Sequence, residues 1–221
     1  MARRVLVNGR IADKSGRSVD KEDEIRIIAP EHPWVGRGGM KLARALEQFH
    51  IDVSGKICAD IGASTGGFTD VLLKNGAARV YAIDVGYGQL DASLRNDPRV
   101  VVREKVNARF LEASDFAEPI EFVCIDVSFI SLKLILPAVA KFLRGELVAL
   151  IKPQFEVGKG EVGKGGIVRD DAKRAAAVES VVQFARESGF DVRGVIESPV
   201  TGAEGNVEFL MDAEFRISNS E

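Results

Sequence analysis

Histidine and cysteine are nearly missing from this chain of 221 residues, which holds two of each: His32, His50, Cys58 and Cys124. Four residues so scattered form no zinc-binding pattern. Both cysteines sit inside apolar runs, where a thiol reads as a small core side chain. Long apolar runs are missing too. No stretch of about 18 apolar residues is available to span a bilayer. Met1-Ala2-Arg3-Arg4-Val5 leads into no run of signal-peptide length. The expectation is a cytoplasmic protein. Nor is there an excess of positive charge, since 30 lysines and arginines face 33 acids, a net charge of −3. That excludes a surface coated in positive charge. It leaves room for a local basic patch, which is what nucleic-acid binding requires. Hydrophobic residues at 46% and charged residues at 29% fit a globular chain and argue against extended disorder.

What is present falls into a short β-rich beginning and a longer α/β body. Val5-Leu6-Val7 is followed by Asn8-Gly9, a strong hairpin dipeptide, and Ile25-Arg26-Ile27-Ile28 offers a second strand. Between residues 3 and 17, Arg3, Arg4, Arg10, Lys14 and Arg17 face one acid, Asp13. Two readings of residues 1–29 stay open: a hairpin packed on the main domain, or part of an RNA-binding module. Pro30 and Pro33 mark residues 30–36 as a linker. The main domain is expected over 37–221.

That domain opens with a helix over Arg37–His50, whose Met40, Leu42, Ala43, Leu46 and Phe49 recur at helical spacing. Gly38 and Gly39 let its start approach another backbone or a ligand. A βα rhythm follows. Strands are expected at Ile57–Ile61, Arg79–Asp84, Val100–Arg103, Glu121–Asp126, Glu146–Lys152, Val192–Glu197 and Val207–Phe215. Helices are expected at Phe68–Lys74, Ser131–Phe142 and Asp170–Ser188. This alternation predicts a doubly wound α/β fold with a mostly parallel sheet covered on both faces. The short connection before the last strand predicts an antiparallel pair at that end.

Asp60-Ile61-Gly62-Ala63-Ser64-Thr65-Gly66-Gly67-Phe68-Thr69 joins an apolar strand to a helix. In an open parallel sheet, ligands bind at such strand ends, and backbone N–H groups at a helix start can hold polar ligand atoms. Asp84 ends the next strand, where an acid accepts hydrogen bonds from ribose hydroxyls. The pair signals a nucleoside cofactor. Gly62 through Gly67 lacks the middle glycine of the dinucleotide pattern. Asp60 suits a charged amino-acid moiety better than a pyrophosphate. These points favour S-adenosylmethionine over a dinucleotide or a purely structural turn. Two more strand ends carry polar groups, Asp126 and Lys152, which sit where a sheet delivers side chains to its active edge.

Six segments together resemble the FtsJ-like ribosomal RNA 2′-O-methyltransferases, and most closely their hemolysin-A-type (TlyA) branch. They are residues 38–42, 60–69, 125–129, 152–156, 165–170 and 205–209, in family order. The resemblance implies a Rossmann-like methyltransferase sheet with an antiparallel last strand. It implies a Lys-Asp-Lys-Glu tetrad at Lys41, Asp126, Lys152 and Glu208. It also implies S-adenosylmethionine held by Asp60, Gly62, Ala63, Ser64, Thr65, Gly66, Gly67, Phe68 and Asp84, with Asp126 beside it and Asn107 near the adenine. The reaction implied is methyl transfer to a cytidine ribose of rRNA. A ribose 2′-OH must lose its proton as it attacks, and a lysine serves as base only once burial or a second ammonium has weakened its hold on its own proton. No metal is needed, because a sulfonium is already an activated leaving group.

The branch also begins with a small RNA-binding module, of which only the second half is recognisable here, from Arg3 to Ile27. Residues 157–168 form a glycine-rich segment expected to move without RNA, with Lys159 and Lys164 placed to meet phosphates. The partners implied are rRNA or ribosomal subunits. Three other readings stand beside this one: a non-catalytic ribosome-assembly protein, a membrane-lytic hemolysin and a nicotinamide-dependent oxidoreductase.

Overall fold

The computed structural model describes residues 5–12, 14, 16–27, 32–158, 160–163, 165–202 and 204–215. The chain divides into two units, Met1–Pro33 and Trp34–Glu221.

In the first unit, β1 (Val5–Val7) lies between β2 (Arg10–Ile11) and β3 (Ile25–Ile27), antiparallel to both. The β1–β2 turn places Asn8 at φ 50° and Gly9 at φ 75°, the pair of left-handed residues a two-residue hairpin turn needs. The Asn8 side chain accepts from the Glu24 N–H at 2.9 Å and donates to Asp23 at 2.6 Å. The turn residue thus also fastens the approach to β3.

The second unit holds a seven-stranded sheet. Its strands are β4 (Ile57–Ile61), β5 (Arg79–Asp84), β6 (Val100–Glu104), β7 (Ile120–Ile125), β8 (Leu143–Ile151), β9 (Phe190–Glu197) and β10 (Phe209–Phe215), in the order 6-5-4-7-8-10-9. All neighbours from β6 to β8 are parallel, and β10 runs antiparallel to both β8 and β9. The last strand is therefore inserted between its neighbours. Strand order reverses between β4 and β7, the crevice where open sheets of this kind bind ligands.

Both faces are covered. Helices α1 (Gly39–Phe49) and α2 (Gly67–Lys74) set Leu42, Leu46, Val71 and Leu72 among Cys58, Phe122, Cys124, Val148, Leu150 and Leu210. On the other face, α4 (Leu136–Phe142) and α6 (Asp171–Glu187) contribute Val139, Phe142, Val181 and Ala185 to a core with Ala59, Ile61, Val123, Ile125, Leu147, Ala149 and Ile151. Two one-turn helices, α3 (Ala92–Arg95) and α5 (Pro153–Glu156), were not expected from periodicity, since four residues show none. Cys58 and Cys124 are buried core residues.

Several boundaries differ from those expected. The segment expected as one helix over Ser131–Phe142 is a 3₁₀ turn at Leu132–Leu134 followed by α4, because Pro137 has no N–H to continue a helix through it. Strand β8 starts at Leu143, directly after α4. Strand β10 starts at Phe209, leaving residues 206–208 in a loop. Helix α6 is capped by Asp170, whose side chain accepts from the N–H groups of Ala172 and Lys173. Among the described residues, no helix is long and apolar enough to cross a membrane.

Phe122 lies at the centre of the sheet with no exposed surface. Phe122→Ala should destabilise the protein by about 3–5 kcal/mol through lost burial and the cavity left behind. Urea unfolding of the two proteins measures this, and a loss below about 1 kcal/mol would mean that the site collapses freely.

Candidate active site

Strand alternation decides which side chains meet. Cys58, Cys124, Val148, Leu150 and Leu210 all face the α1 side of the sheet. Side chains two residues further towards the cavity edge repeat that direction. For β4, β7 and β8 they are Asp60, Asp126 and Lys152. Strand β10 runs the other way, so the matching residue precedes Leu210 and is Glu208. The β8–β10 register pairs Phe209 with Ile151, which brings Glu208 opposite Lys152. Lys41 arrives from the first turn of α1. A Cβ on Gly67, at the start of α2, would lie 2.9 Å from the Gly39 nitrogen, so only glycine there lets the two helix starts approach this closely.

Lys41, Asp126, Lys152 and Glu208 line one cavity of about 520 Å³. Lys41 Nζ donates to Glu208 Oε2 at 2.6 Å, both side chains being buried. Lys152 Nζ lies 2.7 Å from Asp126 Oδ1 and donates to Ser128 Oγ at 2.9 Å. The cavity thus holds two ion pairs side by side, each lysine balanced by its own carboxylate. Removing one partner of such a buried pair typically costs about 3–5 kcal/mol, because the other charge is stranded. This ties the constellation to the stability of the sheet edge.

An adjoining cavity of about 450 Å³ contains Asp84 and Asn107 between the aliphatic side chains of Val85, Val106, Ile130 and Ile135. Asp84 accepts from the N–H of Ser64 at 2.8 Å and of Gly86 at 2.6 Å, which fixes its carboxylate at the end of β5. Asn107 accepts from the Arg109 N–H at 3.1 Å. An aliphatic slot with a fixed carboxylate at its edge suits a purine nucleoside: the base lies between apolar walls and the ribose hydroxyls donate to the acid.

The two cavities share Gly62, Ser64, Asp126, Ser128 and Phe129. Gly62 has φ +88°, and a Cβ there would stand 2.4 Å from the Asp126 carbonyl oxygen. Only glycine lets β4 turn off against the end of β7 at this point.

Of the other residues expected at the cofactor, Ala63, Thr65, Gly67 and Phe68 line the cavity of the two ion pairs. Gly66 and Asp60 line neither. Asp60 is fully buried behind the turn, where its Oδ2 accepts from the Thr69 hydroxyl at 2.6 Å and its Oδ1 has no hydrogen-bond partner. Burial pushes its carboxyl from 3.8 up to about 7, against the pull of the Thr69 hydrogen bond and with a further push from Asp126. Arg10, Lys14 and Arg17 are exposed in the first unit. Arg3, Arg4, Lys159 and Lys164 lie outside the described residues.

Two residues were not singled out in the sequence. Ser128 holds Lys152. Asn206, itself buried, accepts from the Val168 N–H at 3.0 Å and donates to the Gly166 carbonyl at 2.9 Å, so it fastens the glycine-rich segment beside Glu208. Both stood inside segments that carry the resemblance, which was the only available signal. Among the described residues, no three His, Cys, Asp or Glu side chains cluster closely enough to hold a metal.

Comparison with known proteins decides the family. The FtsJ-like methyltransferase model matches residues 34–215. The chain belongs to the FtsJ-like methyltransferase family. It is 48% identical over 213 residues to the Mycobacterium tuberculosis 16S/23S rRNA (cytidine-2′-O)-methyltransferase TlyA, covering 95% of this chain and 80% of that protein. A solved structure from Streptococcus thermophilus, described as a hemolysin, matches at TM-score 0.85 and 48% identity, covering 99% of this chain and 81% of that one. The fold is also shared with Aeropyrum pernix fibrillarin in complex with S-adenosyl-L-methionine, at TM-score 0.57, 15% identity and coverage of 90% and 85%. The methyl donor of this FtsJ-like methyltransferase is S-adenosylmethionine. The aliphatic slot and the fixed Asp84 carboxylate suit its nucleoside portion.

Two outcomes follow. Asp84→Ala should weaken adenosylhomocysteine binding by about 1.5–3 kcal/mol, the worth of a hydrogen bond to a charged group. Calorimetry measures this, and an unchanged affinity would move the ribose contact elsewhere. The second outcome concerns Asp60. Its folded form keeps a proton between pH 3.8 and about 7, where the unfolded chain has released it. Its contribution to stability is therefore largest at low pH and falls as pH rises through that window. Asp60→Asn should lose less stability than the parent between about pH 4 and pH 7 in the ligand-free protein. Parallel losses in thermal unfolding would assign the pH dependence to other groups.

Proposed function

We propose that this FtsJ-like methyltransferase methylates the 2′-OH of a cytidine in ribosomal RNA, with Lys152 taking the hydroxyl proton. The observation that carries the reading is the meeting of Lys41, Asp126, Lys152 and Glu208 in one cavity that shares a wall with a nucleoside-shaped slot. The Mycobacterium tuberculosis relative supports the same reading, since it acts on cytidine 2′-O positions of 16S and 23S rRNA.

S-adenosylmethionine, when bound, supplies an electrophilic methyl group on a sulfonium. The residues of this chain supply the rest. A ribose hydroxyl is a weak nucleophile until its proton leaves, so a base must stand within hydrogen-bond reach of it. Lys152 reaches the cavity from the end of β8, with Asp126 fixing its amine from one side. In its neutral form that amine accepts the 2′-OH proton, and Asp126 stabilises the ammonium that results. Lys41, held by Glu208, presents a second cation to the same cavity, where it can hold a ribose or phosphate oxygen. At the rim, Phe129 is 91% exposed and packs 5.1 Å from the Phe155 ring, which leaves it a free face for a nucleic-acid base. Arg10, Lys14 and Arg17, with Arg3, Arg4, Lys159 and Lys164, are the proposed phosphate contacts. The proposed rRNA substrate supports a cytoplasmic location.

Unmethylated rRNA or ribosomal subunits incubated with enzyme and methyl donor should yield 2′-O-methylcytidine in nucleoside mass spectrometry. A base-methylated product or a different nucleoside would overturn the assignment. For Lys152, both Lys152→Ala and Lys152→Arg should abolish single-turnover transfer while leaving adenosylhomocysteine affinity unchanged, because a guanidinium keeps its proton at any working pH. If Lys152 merely held phosphate by charge, the arginine variant would stay fast at saturating RNA and lose mainly in KM.

A further inference from the structure

The segment after β7 and the segment after β8 run beside each other and are tied at three successive points. Lys152 Nζ donates to Ser128 Oγ at 2.9 Å. The rings of Phe129 and Phe155 stand 5.1 Å apart. Glu156 accepts from the Ser131 hydroxyl at 2.6 Å and from the Leu132 N–H at 2.8 Å. Ser128, Phe129 and Ser131 therefore meet Lys152, Phe155 and Glu156 in order, as the teeth of a clasp. The innermost tie is the one that touches the amine.

We propose that Ser128 is a positioning residue for methyl transfer: its hydroxyl fixes the rotation of the Lys152 amine so that the lone pair points at the substrate hydroxyl. This rests on Lys152 acting as the base. A neutral lysine amine has two N–H bonds and one lone pair in a tetrahedral arrangement. Asp126 Oδ1 lies 2.7 Å from the amine as an ion-pair partner but takes no hydrogen bond from it, so it does not by itself fix rotation about the terminal C–N bond. The hydrogen bond to Ser128 Oγ at 2.9 Å pins one N–H and stops that rotation, and the nearby carboxylate favours the second N–H on its own side, which leaves the lone pair the remaining direction. Ser128 lines both cavities, so it stands beside the wall where the donor slot and the ion-pair cavity meet. After proton transfer, the new N–H occupies the direction the lone pair held, and the Ser128 hydrogen bond and the Asp126 ion pair are kept. Aligned groups of this kind act through orientation, and the effect belongs to the rate of the bound complex rather than to binding.

The test is single-turnover methylation of unmethylated rRNA by the full chain, with adenosylhomocysteine affinity measured alongside. Ser128→Ala should slow the step at saturating RNA by roughly ten- to a hundredfold, the loss of one hydrogen bond to an amine, with KM and adenosylhomocysteine affinity within about twofold of the parent. Ser128→Thr keeps the hydroxyl and should recover most of the rate. Glu156→Gln, which loosens the outer tie without touching the amine, should give a smaller loss of the same kind. An alanine variant as fast as the parent, or one whose loss appears in KM or cofactor affinity, would overturn the proposal, as would a threonine variant no better than alanine. These results separate from failure of the parent reading. A fast Lys152→Arg variant removes Lys152 as base, whereas an inactive Lys152→Arg with a fast Ser128→Ala removes only the role given to Ser128.

Discussion

Two lysines and two acids can share a half-dry cavity only if each charge finds its partner, and that demand organises the carboxyl edge of the sheet. The Lys41–Glu208 pair joins α1 to the loop before β10, and the Lys152–Asp126 pair joins β8 to β7. Each pair therefore links chain segments far apart in sequence. A carboxylate left alone in such a place would be held in its protonated state, as burial does to Asp60 a few residues behind the cavity. The contrast is instructive: Asp60 and Asp126 project from the same face of adjacent strands, but only Asp126 has an ammonium beside it.

The backbone serves the same end. Glycines stand where two chain segments must touch: Gly67 against Gly39, so that α1 can bring Lys41 in, and Gly62 against the Asp126 carbonyl, so that the turn clears the end of β7. The reversal of strand order between β4 and β7 opens the crevice, and the same two strands supply Gly62 and Asp126, which belong to both cavities. The two cavities are neighbours because both lie at the reversal of strand order and share Gly62 and Asp126 as lining.

Much of the fold was legible because its signals are local and periodic. The apolar runs of β4, β5 and β7, the Asn8-Gly9 turn and the Asp170 cap each carry their reason within a few residues. The strand-end positions of Asp126 and Lys152 were readable from the apolar runs that precede them. The one-turn helices α3 and α5 escaped because a single turn has no period. The break in the helix expected over Ser131–Phe142 was marked by Pro137, but the apolar pattern on either side outweighed it. The enclosed position of Asp60 escaped because residue type does not reveal whether a strand-end carboxylate looks into a cavity or behind it.

The sequence by itself determined the elements, the face each strand presents and the charges available at the sheet edge, since all of these follow from residue type and spacing along one chain. Only the tertiary structure decided the pairing: Glu208 with Lys41 across 167 positions, Ser128 with Lys152 across 24, and Asn206 with the segment around Gly166 and Val168. The physical reason is register. A hydrogen bond is short and directional, so its partners are chosen by how β10 slides between β8 and β9 and how closely α1 meets α2, and no local pattern encodes either distance.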